Sequence, residues 1–250
     1  MLEIEPLTPH IGAYIRNVDL ARCSQSDFEH VYQAFLNHQV IFIDGQNLSP
    51  TEHLILAKKF GQLEPVHPFF PNVESHPQVC VIETTKGNRP LESIWHTDLT
   101  WREIPSKCSL LHAQHVPNVG GDTIWCSMTA VFDSLDPALQ QQLRSLSAVH
   151  SLTAFQNIEE RDVTLDWQKQ VIETSQKHPP VTHPIVQVHP ETLKETLFIN
   201  EQFTRHIENM PSNSSQKLLD QLFTQARRPE FQVRLKWKKG TLAIWDNRVT

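Results

Sequence analysis

The chain contains no stretch of about 18 consecutive apolar residues, the minimum for a membrane-crossing helix. Its opening, Met1-Leu2-Glu3-Ile4-Glu5-Pro6, lacks both the basic and the apolar part of a signal peptide. These absences predict a cytoplasmic protein with no membrane partner. Basic charge is also in deficit: 22 Lys and Arg stand against 28 Asp and Glu, giving a net charge of -6. The basic residues are scattered, so nucleic acid is excluded as the main partner. Cysteine is sparse, and Cys23, Cys80, Cys108 and Cys126 show neither C-x-x-C nor zinc-like spacing, which predicts free core thiols. The G-x-G-x-x-G and Walker phosphate-binding patterns are missing, as are internal repeats and low-complexity linkers. The 250 residues therefore read as one domain, residues 1–250.

What is present centres on Ile94-Trp95-His96-Thr97-Asp98-Leu99-Thr100-Trp101. Taken as a strand, it sends Trp95, Thr97, Leu99 and Trp101 one way and His96 and Asp98 the other. Two alpha carbons one pleat apart lie about 7 Å from each other, so both side chains can converge on one ion. An imidazole and a carboxylate are also two of the three protein ligands in the facial triad of non-heme Fe(II) oxygenases. The competing reading is a strand with a solvated polar face. Two further His-x-Glu triplets occur, but Pro190 makes His189-Pro190-Glu191 a turn, and His206-Ile207-Glu208 runs into the polar, turn-rich Asn209-Met210-Pro211. Only the triplet at 96 to 98 has an aromatic, β-favouring frame able to keep water from a metal.

Around it the chain falls into recognisable pieces. Ser24-Gln25-Ser26-Asp27 supplies an N-cap to a helix carrying Phe28, Val31, Phe35 and Leu36, and Ser49-Pro50-Thr51-Glu52 forms a capping box on a second helix that Gly61 ends. Val40-Ile41-Phe42-Ile43 suits a strand buried on both faces. Residues 79–82 and 109–113 read as strands flanking the metal strand, and Gly120-Gly121 makes a tight turn into Asp122-Thr123-Ile124-Trp125. Residues 127–146 are helical with a fresh start at Asp136-Pro137, and the polar stretch 156–180 is a candidate flap. Strands at 185–188 and 197–199, a helix following Ser212-Asn213-Ser214-Ser215, an alternating strand Phe231 to Trp237 and a buried run Leu242 to Trp245 complete the set. The expected fold class is α+β, with a jelly roll core and flanking helices.

Trp95-His96-Thr97-Asp98, Gly120-Gly121-Asp122-Thr123-Ile124-Trp125, Asn200-Glu201-Gln202-Phe203-Thr204, Phe231-Gln232-Val233-Arg234 and Ile244-Trp245-Asp246-Asn247-Arg248-Val249-Thr250 together resemble the taurine dioxygenase (TauD/TfdA) family of Fe(II)- and 2-oxoglutarate-dependent dioxygenases. The opening Pro6-Leu7-Thr8-Pro9-His10-Ile11-Gly12-Ala13 is similar too, so the resemblance covers essentially the whole chain. It implies a double-stranded β-helix core, Fe(II) as cofactor and 2-oxoglutarate as co-substrate. It also implies that His96 and Asp98 are iron ligands, that Thr123 holds the distal carboxylate of 2-oxoglutarate, and that His67 contacts the substrate's acid group. Phe70, Leu99 and Phe203 would line the substrate pocket, with Glu92 at its edge. Taurine enzymes of the family typically carry Tyr and Asn at the positions of Phe70 and Glu92, so the surroundings of the substrate tail differ here.

The family's third iron ligand, a histidine, and two anion-binding arginines lie beyond the position of Thr250. The sequence therefore reads as a shortened version of a longer enzyme, and the chain itself is expected to bind iron weakly and turn over little. The reaction implied is hydroxylation of the carbon next to the sulfonate of taurine or a similar alkylsulfonate, giving an aldehyde, sulfite, succinate and carbon dioxide. O2 and a small anionic substrate are the expected partners, and a homo-oligomer the expected state. Two alternatives remain: the same chemistry on a carboxylate such as an aryloxyalkanoate, or a jelly roll that binds a small acid without turnover.

Overall fold

Local signals set the helix starts. In the computed structural model, which describes residues 2–84, 94–152 and 165–250, Ser24 Oγ accepts the Asp27 amide at the head of α1 (Gln25–His38). Ser49 and Glu52 satisfy each other's backbone amides at the head of α2 (Pro50–Phe60), with Pro50 in the first turn where its missing N–H has no consequence. The later helices are α3 (Met128–Asp133), α4 (Pro137–Leu143), α5 (Leu165–Lys177) and α6 (Ser212–Ala226). Asp136 caps α4 by accepting the Ala138 amide, which is the fresh start expected at Asp136-Pro137. None of the described helices is long and apolar enough to cross a membrane.

The strands are β1 (Glu3–Pro6), β2 (Ala13–Arg16), β3 (Val40–Ile43), β4 (Asn72–Val73), β5 (His76–Cys80), β6 (Cys108–His112) and β7 (Thr123–Cys126). They continue with β8 (Ser147–His150), β9 (Val181–Pro184), β10 (Val186–Val188), β11 (Glu195–Leu197), β12 (Thr204–Ile207), β13 (Gln232–Leu235) and β14 (Leu242–Asp246). The largest sheet has the order β1-β2-β3-β14-β6, parallel only between β2 and β3. Its two central strands, β3 and β14, are apolar on both faces because both faces are covered. Ile41, Ile43, Leu242 and Ile244 pack under α1 and α2 against Phe28, Val31, Phe35 and Phe60. Val40, Phe42 and Ala243 face the other way, onto Trp125, Val233 and Leu235 of the β7–β13 pair. Each Val, Leu, Ile or Phe among them contributes about 1.5–3 kcal/mol of burial.

A third cluster joins α3 and α6 to the sheet β12-β8-β9 and the hairpin β10–β11 through Val131, Phe132, Ala148, Leu197, Ile207 and Leu222. Two β layers facing each other, with helices outside them, make the jelly roll core with flanking helices that the sequence predicts. Gly120 and Gly121 have φ of 82° and 74°, the left-handed geometry of the turn expected before β7.

Five expectations need correction or limits. Residues 95–101 form no ladder; they run as a loop closed by a turn, in which the Arg102 amide donates to the Leu99 carbonyl at 3.0 Å and Leu99 has φ 59°. Aromatic and β-branched residues abound there because Thr97, Thr100 and Trp101 are buried, and burial rather than pairing selected them. Accordingly β5 and β6 do not flank it: β5 pairs with β4, and β6 with β14. His206 lies in β12 opposite Val149, and the expected turn begins only after the strand, at Glu208-Asn209. All four cysteines are free, but only Cys126 is fully buried. Residues 165–177 of the candidate flap are α5, and residues 156–164 lie outside the described residues.

Candidate metal and substrate site

His96 and Asp98 converge although their segment is a loop. His96 Nδ1 lies 3.0 Å from the Ile94 carbonyl, which can only accept, so the ring proton sits on Nδ1 and Nε2 keeps a free lone pair. Nε2 is 3.7 Å from Asp98 Oδ1. That is too long for a hydrogen bond. Two donors each about 2.1 Å from a shared ion stand at most about 4.2 Å apart, so the spacing fits a metal between them. A ligand imidazole whose other nitrogen donates to a carbonyl is the usual arrangement in metal sites. The second oxygen of Asp98 accepts a 2.6 Å hydrogen bond from Ser109 Oγ on β6. Both side chains remain about a third exposed, which leaves an open side. Among the described residues no third His, Cys, Asp or Glu joins the pair.

The loop is anchored by buried polar contacts. Thr97 Oγ1 donates to the Thr250 carbonyl at 2.7 Å. Asn200 Nδ2 donates to Thr100 Oγ1 at 2.9 Å, and His150 Nδ1 lies 3.1 Å from the same oxygen. His183 Nε2 donates to the carbonyls of Thr100 and Arg102, at 3.0 and 3.1 Å. Burial, together with neighbouring His183, pushes the His150 imidazole down to about 3, and burial lowers His183 too, so both rings are neutral. His183 replaces the ladder as the partner for this stretch of backbone, and His150 holds the Thr100 side chain.

His67 sits within electrostatic reach of this pair. Its Nδ1 accepts the amides of Phe69 and Phe70 at 3.2 and 3.3 Å, which places its proton on Nε2. Burial and the Arg102 guanidinium push it down to about 4, partly opposed by the Asp98 carboxylate. Phe70 stacks on it with ring centres 4.6 Å apart. Leu99 and Phe203 share one apolar cluster with Trp101, Leu152 and Phe69. Thr123 is on β7, where its hydroxyl accepts Trp237 Nε1–H at 2.9 Å and keeps its own proton to donate. Among the described residues no hydrogen bond or ion pair joins Thr123 to His96 or Asp98. Glu92 lies outside the described residues.

Sequence reasoning missed Ser109, Thr100, His150, His183 and Asn247. None has a spacing signal, because their partners lie 11 to 138 residues away in the chain.

Known proteins resemble this chain over nearly its whole length. The family described as taurine catabolism dioxygenase TauD, TfdA family matches residues 3–250. An alkylsulfatase of Acinetobacter baylyi is 34% identical over 100% of this chain and 78% of its own length. An alpha-ketoglutarate-dependent sulfate ester dioxygenase of Pseudomonas putida is 32% identical over 100% of this chain and 82% of its own. The crystal structure of a taurine dioxygenase from Burkholderia xenovorans superposes with a TM-score of 0.83 at 31% identity, covering 99% of this chain and 80% of that one.

Proposed function

Because the chain belongs to the TauD/TfdA family of dioxygenases, whose members depend on Fe(II) and 2-oxoglutarate, we propose that it hydroxylates the carbon next to the sulfo group of a small organosulfur acid. The substrate class is an alkyl sulfate ester or an alkylsulfonate such as taurine. The observation that carries this reading is the His96–Asp98 pair, with its imidazole tautomer fixed and its exposed side open.

His96 Nε2 and Asp98 Oδ1 would hold the iron. When bound, iron and 2-oxoglutarate supply the O2-driven oxidation that yields succinate and carbon dioxide. The chain's own residues orient and shield. Thr123 offers its hydroxyl proton to the distal carboxylate of 2-oxoglutarate. His67, neutral with its proton on Nε2, donates to a sulfo oxygen. Phe70, Leu99 and Phe203 line the tail site and exclude water.

The apolar lining favours a hydrocarbon tail over the ammonium group of taurine, and the names of the two sulfate-ester relatives point the same way. Hydroxylation of a sulfate ester at the carbon bearing oxygen gives a hemiacetal sulfate that collapses to aldehyde and sulfate. The corresponding sulfonate gives aldehyde and sulfite. The aromatic residues of the lining also suit an aryl ring, which supports a second reading, an aryloxyalkanoate.

The test is incubation with Fe(II), 2-oxoglutarate and O2 beside hexyl sulfate, hexanesulfonate, taurine or phenoxyacetate, with succinate, sulfate, sulfite and aldehyde measured. Succinate formation coupled to sulfate or sulfite release supports the proposal. Coupling to phenoxyacetate alone moves the substrate to the carboxylates. Succinate formation that no acid stimulates defeats both.

A further inference from the structure

One oxygen of Asp98 is already engaged by the protein, while Oδ1 faces His96 Nε2. Oδ2 accepts from Ser109 Oγ at 2.6 Å, and Ser109 Oγ in turn accepts from Asn247 Nδ2 at 3.0 Å. An amide nitrogen has protons and no lone pair to offer, so the Ser109 hydroxyl cannot direct its own proton back at Asn247. That proton is left for Asp98. The relay therefore has one direction, from amide to hydroxyl to carboxylate.

Asn247 is placed firmly enough to set it. The residue is 1% exposed, and its backbone amide donates to the Lys107 carbonyl at 3.1 Å. It directly follows β14, which is registered on β6 with Trp245 opposite Ser109 and Asp246 opposite Cys108. Its Oδ1 is buried without a hydrogen-bond partner among the described residues. A buried amide that leaves one polar atom unsatisfied is a poor choice for packing alone. The contact it does make is the one on Ser109.

We propose that Asn247 and Ser109 are positioning residues for the iron-binding carboxylate. The amide fixes the rotamer and polarity of the hydroxyl. The hydroxyl then holds Oδ2 away from the metal, so that Asp98 binds through Oδ1 alone. Without that restraint the carboxylate turns to present both oxygens, and the second occupies a position that 2-oxoglutarate needs. Ser109 thus acts on metal affinity and on co-substrate affinity together. This inference rests on the reading of His96 and Asp98 as metal ligands.

Calorimetric titration with Co(II), followed by 2-oxoglutarate, tests it on the unaltered chain, S109A, S109T, N247L and, as reference, H96A. S109A and N247L are expected to weaken Co(II) binding tenfold or more, the usual effect of removing a group that orients a ligand. They are also expected to weaken 2-oxoglutarate binding to the cobalt form, and S109T, which keeps the hydroxyl, is expected to recover most of both. Unchanged thermal melting of S109A separates these effects from unfolding; if N247L does not fold, the S109A and S109T pair decides. Should S109A bind both ligands as the unaltered chain does while H96A binds no cobalt, the relay is overturned and the metal site stands. Should H96A bind cobalt like the unaltered chain, the metal site falls and the relay falls with it.

Discussion

The hydroxyl of Thr97 donates to the backbone carbonyl of Thr250 at 2.7 Å, across 153 residues of chain. Thr97 is the buried middle residue of the His96-Thr97-Asp98 triplet, so its side chain ties the donor pair to the segment that follows β14. Thr97→Val keeps the shape and removes the donor. The expected loss is about 1 kcal/mol of stability, seen as a melting temperature lower by roughly 2–4 °C. Co(II) affinity is expected to fall as well, because both ligands flank the loosened residue. A variant that melts and binds cobalt like the unaltered protein would show this bond to be incidental.

Asp98→Asn separates metal binding from folding. Asp98 is about a third exposed, and among the described residues its hydrogen bond is the one from Ser109, which an amide oxygen can also accept. Stability should therefore change by no more than about 0.5 kcal/mol, as for ordinary surface substitutions. Metal affinity should drop by at least the hundredfold that marks the upper range for orienting groups. Isothermal titration beside a thermal melt reads both quantities on one sample.

Acid should destabilise the fold well before its carboxylates titrate. His150 is held down to about 3 and His67 to about 4, while an unfolded histidine titrates near 6.5. Between those values the unfolded chain binds protons that the folded chain refuses, so stability is intact above about pH 6.5 and falls as pH decreases toward 4 and 3. His183, His53 and His38 are lowered by burial and add in the same direction. Glu191, held down to about 2 by hydrogen bonds from Tyr32, Arg248 and Lys107 against its own burial, contributes loss only below its unfolded range near 4.5. The melting temperature should therefore decline from pH 7 to pH 5, and His150→Asn should flatten that slope. An unchanged slope in the variant would remove His150 as a cause.

Gly240→Ala probes the turn that delivers the chain into β14. Gly240 has φ 80°, and an added Cβ would stand 2.8 Å from the Gln46 carbonyl oxygen, a backbone atom with little room to move. Left-handed geometry costs an L-residue about 1–2 kcal/mol, and forcing the contact apart adds about 1–3 kcal/mol. A melting temperature lower by more than roughly 4 °C is expected. Gly45→Ala, positive in φ but with nothing within 4 Å of its added Cβ, should be milder.

How far the sequence could be read depended on how local each determinant is. Ser24 and Ser49 cap helices three residues away, and the alternation of Val233 and Leu235 with Gln232 and Arg234 follows from one wet and one covered face, so these features were legible. The pairing of His96 with Asp98 was legible as chemistry but not as geometry. A turn at Leu99 and side-chain partners for the backbone replace the strand that Trp95, Thr97 and Trp101 suggested. Ser109 and Asn247 were invisible because their meeting depends on the register of β6 against β14, which no spacing in the chain encodes.

The place of β14 in the large sheet has a consequence for synthesis. β3, at residues 40–43, is complete early in translation, yet its hydrogen-bonding neighbour comes from residues 242–246. Until that late segment leaves the ribosome, one whole edge of Val40-Ile41-Phe42-Ile43 is an open, greasy template for any other strand, and adhesion between nascent chains competes with native closure. Slow codons or a shortage of chaperones during those two hundred or so residues should therefore lower soluble yield more than any change at the metal pair.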